Sequence, residues 1–230
     1  MKTLLRSGWV FINRPVVPDE ELPAAFPKEQ ATAVTVPHDW LIWDTKNLYE
    51  DSLGLYRRTF EVTAEDEVTL LYFEGVYMDC TLFVNGQEAG CWKYGYSSFY
   101  FDVTEYTHIG ENELFLRVVH KAPNSRWYSG AGIYRPVWQI SKKRAHFLPD
   151  RFAAEAIETK TGFDLKIRTV ASEKAKLRCT VFDAEGRAVG RGEGAADESI
   201  TMHLSGVRRW SLESPYLYTI EAELLQNNEL

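Results

Sequence analysis

Apolar and polar residues alternate with a period of two through most of this chain. That pattern limits it to strands with one face turned toward a core. Phe163, Leu165 and Ile167 alternate with Asp164, Lys166 and Arg168; Ala175, Leu177, Cys179 and Val181 alternate with Lys176, Arg178 and Thr180. Leu55 to Val62, Val68 to Phe73, Thr81 to Val84 and Leu114 to Val119 are β-branched or aromatic runs that read as further strands. Asn85-Gly86 accepts the positive φ of a two-residue hairpin turn, so Asp79 to Val84 is expected to pair with Gln87 to Trp92. Gly110-Glu111-Asn112, Thr161-Gly162, Glu185-Gly186 and Gly192 to Gly194 read as further turns.

With 230 residues, 45% of them hydrophobic and 7 Trp, 12 Tyr and 12 Phe among them, the chain can build a substantial core, so a disordered chain is excluded. After Ile140 the Trp- and Tyr-rich texture gives way to smaller, more charged strands across Lys142-Lys143-Arg144. The expected organisation is all-β, with one domain over residues 1–141 and a second over 142–230. In the second, Phe152 to Glu158, Phe163 to Val170, Ala175 to Phe182, Ala188 to Gly192, Ser199 to Leu204 and Tyr216 to Leu225 make six strands. A minimal immunoglobulin-like sandwich has about seven, so the last strand is expected to be missing.

A net charge of -7 is the wrong sign for neutralising many phosphates, and nucleic acid is not an expected partner. Cys80, Cys91 and Cys179 cannot all pair, and their spacing is not that of a zinc site, which fits a reducing compartment. Arg6 follows Leu4 and Leu5 at once, so the start does not read as a signal peptide; nor is there a run of about 18 apolar residues. A cytoplasmic protein, with no membrane partner and no metal or cofactor in this chain, is the expectation.

His38-Asp39 suggests part of a hydrolytic triad, but successive residues on a strand point to opposite faces. Glu74, Asp79 and Glu88 lie near one hairpin and suggest the carboxylate pair of a retaining glycosidase, roughly 5 Å apart. Solvated strand-edge carboxylates are the commoner explanation, and no catalytic residue is assigned. Asn124-Ser-Arg-Trp-Tyr-Ser-Gly-Ala-Gly-Ile-Tyr-Arg-Pro136 combines three aromatics, two arginines and two glycines. Those are ingredients of a polyol site, where rings cover the C–H face of a sugar and guanidinium or amide groups meet its hydroxyls. The other reading makes Trp127 and Tyr134 core or interface residues, with Gly130 and Gly132 chosen for backbone geometry.

Ser7-Gly-Trp-Val-Phe11, Val36-Pro-His-Asp-Trp40, Gly54-Leu-Tyr-Arg-Arg-Thr-Phe60, Phe73-Glu-Gly-Val76, Phe83-Val-Asn-Gly86, Tyr96 to Val103 and Asn124 to Trp138 follow one another along the chain. In this order they resemble the N-terminal half of glycoside hydrolase family 2, the β-galactosidase and β-glucuronidase group. The resemblance implies a jelly-roll, galactose-binding-like sandwich, then an immunoglobulin-like sandwich reaching through Trp210-Ser-Leu-Glu-Ser-Pro-Tyr-Leu-Tyr218. It also implies that both catalytic glutamates belong to a TIM barrel of about 250 residues, for which this chain has neither length nor periodicity. The chain is thus expected to be a non-catalytic segment of a retaining glycosidase, most simply a β-galactosidase. It would act on carbohydrate with a barrel in cis; whether the parent is a homo-oligomer stays open. A free-standing carbohydrate-binding module is the alternative.

The resemblance further implies substrate contact. Asn85 matches an asparagine that approaches the sugar in some β-galactosidases. Arg126 stands where some members carry an aspartate that helps hold sodium and sugar, and its positive charge argues against a metal there. Arg126, Trp127, Tyr128 and Asn85 are the expected substrate-binding residues.

Overall fold

Alternation becomes sixteen antiparallel strands in the computed structural model, which describes residues 1–44, 46–122 and 130–225. Two units result, Met1–Lys143 and Arg144–Leu230. In the first, β1 (Lys2–Leu4), β10 (Val137–Lys142), β5 (Val68–Phe73) and β8 (Phe99–Asp102) form a sheet in the order β1-β10-β5-β8. The opposing sheet has the order β3-β2-β4-β9-β6-β7. Its strands are β2 (Trp9–Pro15), β3 (Thr32–Val34), β4 (Ser52–Val62), β6 (Cys80–Val84), β7 (Gln87–Trp92) and β9 (Gly110–His120).

Trp9, Phe11, Tyr56, Leu71, Phe73, Leu82, Leu116, Ile133 and Val137 fill the space between these sheets. The six-stranded sheet is covered on its other face as well. Ile12, Leu53, Leu55, Phe83, Phe115 and Val119 pack there beneath Val16, Leu22, Phe26 and Ala31 of the segment that follows β2. Arg117 fastens that segment, donating to the Pro23 carbonyl at 3.1 Å and to Thr81 Oγ1 at 3.1 Å. Burial on both faces explains why Ser52 to Tyr56 is buried without interruption, as a strand enclosed on both sides requires. Each side chain the size of Leu53 or Leu55 contributes roughly 1.5–3 kcal/mol by leaving water.

The second unit pairs two three-stranded sheets. One has the order β11-β12-β15, from β11 (Ala153–Glu158), β12 (Gly162–Arg168) and β15 (Ile200–Ser205); the other has the order β14-β13-β16, from β13 (Lys176–Phe182), β14 (Ala188–Ala195) and β16 (Thr219–Leu225). Its core joins Leu165 and Ile167 to Leu177, Cys179, Val181, Ile200, Met202 and Leu204. All six expected strands are present among the described residues. Ala154 and Ala156 sit directly opposite Ile167 and Leu165 in register, and so share their inward face, yet every residue of β11 is exposed. Among the described residues β11 is an edge strand, paired with β12 alone.

Two expected turns are strand instead. Gly110, at φ +101°, opens β9 rather than a loop. Gly192 and Gly194 lie inside β14, where a Cβ would meet Ile200 at 2.8 and 3.1 Å respectively. These glycines admit the facing sheet closely. Gly192→Val is therefore expected to destabilise the second unit by roughly 1–3 kcal/mol through overpacking, read as a lower urea midpoint; an unchanged midpoint would show that Ile200 and Met202 yield freely.

Candidate functional site

The segment after β3 crosses the first unit beside the stretch before β10, and backbone hydrogen bonds fix the crossing. His38 N–H donates to the Ile133 carbonyl at 2.7 Å and Trp40 N–H to that of Ala131 at 3.0 Å. Gly132 in turn exchanges both backbone bonds with Tyr77, at 2.9 and 2.7 Å. Gly132 has φ +122°, and a Cβ there would lie 2.8 Å from the His38 carbonyl and 3.0 Å from the Trp40 ring. Only glycine suits both the dihedral and the space. Gly130, at φ +97°, likewise has the backbone geometry that favours glycine.

Side chains then sort to opposite sides of this crossing. Trp40 points inward: its ring stands against Gly54 and Gly132, stacks on Phe11 with centroids 5.6 Å apart, and donates its Nε1–H to Ser52 Oγ at 2.9 Å. His38 Nδ1 lies 2.8 Å from the hydroxyl of the fully buried Tyr56. Burial holds the His38 imidazole below its ordinary pKa, against an upward pull from Asp39, and holds the Tyr56 phenol well above its own. Asp39 Oδ1 accepts from the amides of Leu41 at 3.0 Å and Ile42 at 3.2 Å, closing a turn on itself. His38 and Asp39 thus serve different neighbours, as their adjacency on an extended chain predicts.

Around this crossing opens a cleft of about 730 Å³, lined among others by Ala33, Thr35, His38, Asp39, Trp43 and Tyr134. Tyr134 is fixed by donating its hydroxyl to the Gly95 carbonyl at 2.6 Å, with the Arg135 guanidinium 5.3 Å from its ring centre. Trp43 lines this cleft and is exposed, and nothing in its sequence surroundings sets it apart from Trp40 three residues earlier.

Asn85 lies in the predicted turn, at φ +49° with Gly86 at +79°. Its carboxamide is engaged: Nδ2 donates to the Tyr106 carbonyl at 2.9 Å and to Asn112 Oδ1 at 2.8 Å, while Oδ1 accepts from Glu113 N–H at 2.9 Å. It ties the β6–β7 hairpin to β9. Arg126, Trp127 and Tyr128 fall outside the described residues. Glu74 follows β5 in one sheet and accepts from the Trp138 indole at 2.7 Å, whereas Glu88 is on β7 in the other.

Comparison with known proteins brings these features together. The description "Glycosyl hydrolases family 2, sugar binding domain" matches residues 16–143, and "Glycosyl hydrolases family 2" matches residues 150–230. A beta-galactosidase of Bacteroides ovatus is 32% identical over 224 residues, covering 84% of this chain and 26% of the relative. A solved glycosyl hydrolase family 2 member from Bacteroides cellulosilyticus superposes with TM-score 0.80 at 25% identity, covering 99% of this chain and 35% of that one. A beta-glucuronidase of an uncultured Clostridium sp. shares the fold at TM-score 0.81 and 19% identity, covering 97% and 42%. The chain spans 21–30% of the length of three of the curated relatives it matches.

The His38 contact has a pH consequence. A histidine whose pKa is lower folded than unfolded binds more protons unfolded, so stability is full above the unfolded value of about 6.5 and falls as pH drops below it. Urea titrations at pH 7.5 and 5 should show this loss in the first unit, and a smaller loss in His38→Gln. Equal losses in both proteins would remove His38 from the explanation.

Proposed function

The chain belongs to glycosyl hydrolase family 2, and on that premise we propose that it is the non-catalytic N-terminal portion of a retaining glycosidase acting on β-galactosides. The observation that carries this reading is the order and extent of the two family matches: a sugar-binding domain, then a second family 2 region, together about a quarter of the length of a curated β-galactosidase. Retaining hydrolysis needs an acid and a nucleophile on carboxyl groups about 5 Å apart. In this proposal a catalytic barrel in cis supplies both, and the first unit shapes the rim of its sugar pocket. Arg126, Trp127 and Tyr128 are proposed to touch substrate there, whereas the Asn85 carboxamide is engaged in tying its own hairpin to β9.

Structural economy supports the division of labour. Glu74 is committed to the Trp138 indole and Asp39 to its own turn, so the carboxylates nearest the clustered aromatics already do structural work. Three free cysteines, two of them buried, support a reducing, cytoplasmic setting for the parent. The expected result is that the purified chain does not turn over chromogenic β-galactosides or β-glucuronides, and that it binds galactose or lactose only at about millimolar strength or weaker. Turnover that survives purification and disappears in Glu74→Gln or Asp79→Asn would overturn the proposal.

A further inference from the structure

We propose that the apolar groove of the second unit, between β11 and the segment that leads into β16, binds an amphiphilic carboxylate, with its hydrocarbon tail in the groove and its charged end on Arg208. The groove lies wholly within residues 156–220, and its ligand is of a different chemical class from a sugar.

The groove exists because a side chain is short. Leu165 of β12 belongs to the core, and directly opposite it in register β11 offers only the methyl group of Ala156. Leu165, Val181 and Leu204 therefore line a cavity of about 420 Å³, within the range of small-molecule sites, roughly 300–1,000 Å³. Trp210, Tyr216 and Tyr218 supply an aromatic wall. Hydrogen bonds hold that wall in place: the Tyr218 hydroxyl accepts from the Arg208 amide at 2.7 Å, while the Tyr216 hydroxyl donates to Glu185 Oε2 at 2.7 Å and accepts from the Ala184 amide at 3.1 Å. The two tyrosine rings meet edge to face with centroids 5.1 Å apart. An apolar tail would thus meet a surface already ordered, and little conformational freedom is lost when it binds.

Charge decides what the other end of the ligand must be. Two exposed arginines line the groove, Arg208 and Arg209. Arg209 is already paired, with Nη1 3.1 Å from Glu158 Oε2. Arg208 has no acidic partner among the described residues, and its guanidinium stands 5.0 Å from the centre of the Tyr216 ring that forms part of the wall. A guanidinium meets a carboxylate through two parallel N–H bonds, and a planar fork resting on an aromatic face is suited to it. No carboxylate lines the groove to compete for that charge among the described residues. A sugar fits poorly, because its hydroxyl rim would be set against leucine and valine side chains that offer no hydrogen bonds. A hydrocarbon tail ending in one carboxylate satisfies both the apolar walls and the unanswered cation.

The test is nuclear magnetic resonance of this chain with ¹⁵N-labelled indoles, titrated with octanoate and separately with octanol. Trp210 is the one tryptophan of residues 144–230, so its indole reports on the groove directly. The expected result is a saturable shift of that indole with octanoate, about tenfold weaker binding of octanoate in Arg208→Gln, and equal binding of octanol by Arg208→Gln and the parent. Ala156→Leu fills the groove and should abolish the response to both compounds. Both substituted side chains are exposed, so neither variant should unfold at a lower urea midpoint than the parent. An indole that does not respond, octanoate binding that is unchanged in Arg208→Gln, or a loss in that variant shared equally by octanol would overturn the proposal. A Trp210 shift that follows the concentration of the chain with neither compound present would also overturn it, assigning the groove to a second copy.

Discussion

Trp40 can pack against the core of the first unit only because Gly54 and Gly132 have no side chains where its ring stands. Much of the candidate site follows from that fit. The half-buried indole, bonded to Ser52 and stacked on Phe11, anchors the segment after β3 against the core. Anchoring at Trp40 puts His38 two residues before it against the buried Tyr56 hydroxyl, and Trp43 three residues after it into water. Removing either glycine would push the ring out, and the whole crossing with it.

The same device recurs on a smaller scale in the second unit. Gly190, Gly192 and Gly194 line one face of β14 and let Leu204, Met202 and Ile200 approach its backbone. Both sandwiches therefore match large side chains on one element to missing ones on another. Close packing of this kind tolerates little change in volume, which makes such glycines as decisive for the fold as the aromatics they receive.

Some of this was legible in the sequence and some was not, for physical reasons. Val68 to Phe73 was read to the residue, because a β-branched and aromatic run bounded by turns carries its own signal. The Asn85-Gly86 turn was legible for the same reason, since positive φ at two successive residues is a local requirement. Gly110 and the glycines of β14 were misread as turns: a glycine chosen for close approach looks identical in sequence to one chosen for a bend. The partners of the Asn85 carboxamide, Tyr106, Asn112 and Glu113, lie more than 20 residues away, and no spacing rule reaches them. The packing of Trp40 was not legible, because the glycines that receive its ring, Gly54 and Gly132, lie far along the chain. The family resemblance, by contrast, rested on motifs spread over the whole first unit and was recovered in full.

The most direct test of this account is residue-resolved hydrogen exchange on Gly132→Ala. Faster exchange is expected at the His38 and Trp40 amides, which lose their hold on the Ile133 and Ala131 carbonyls, while amides of the second unit exchange as before. Undiminished protection at His38 and Trp40 would contradict the claim that the two-glycine slot for Trp40 holds the crossing in place.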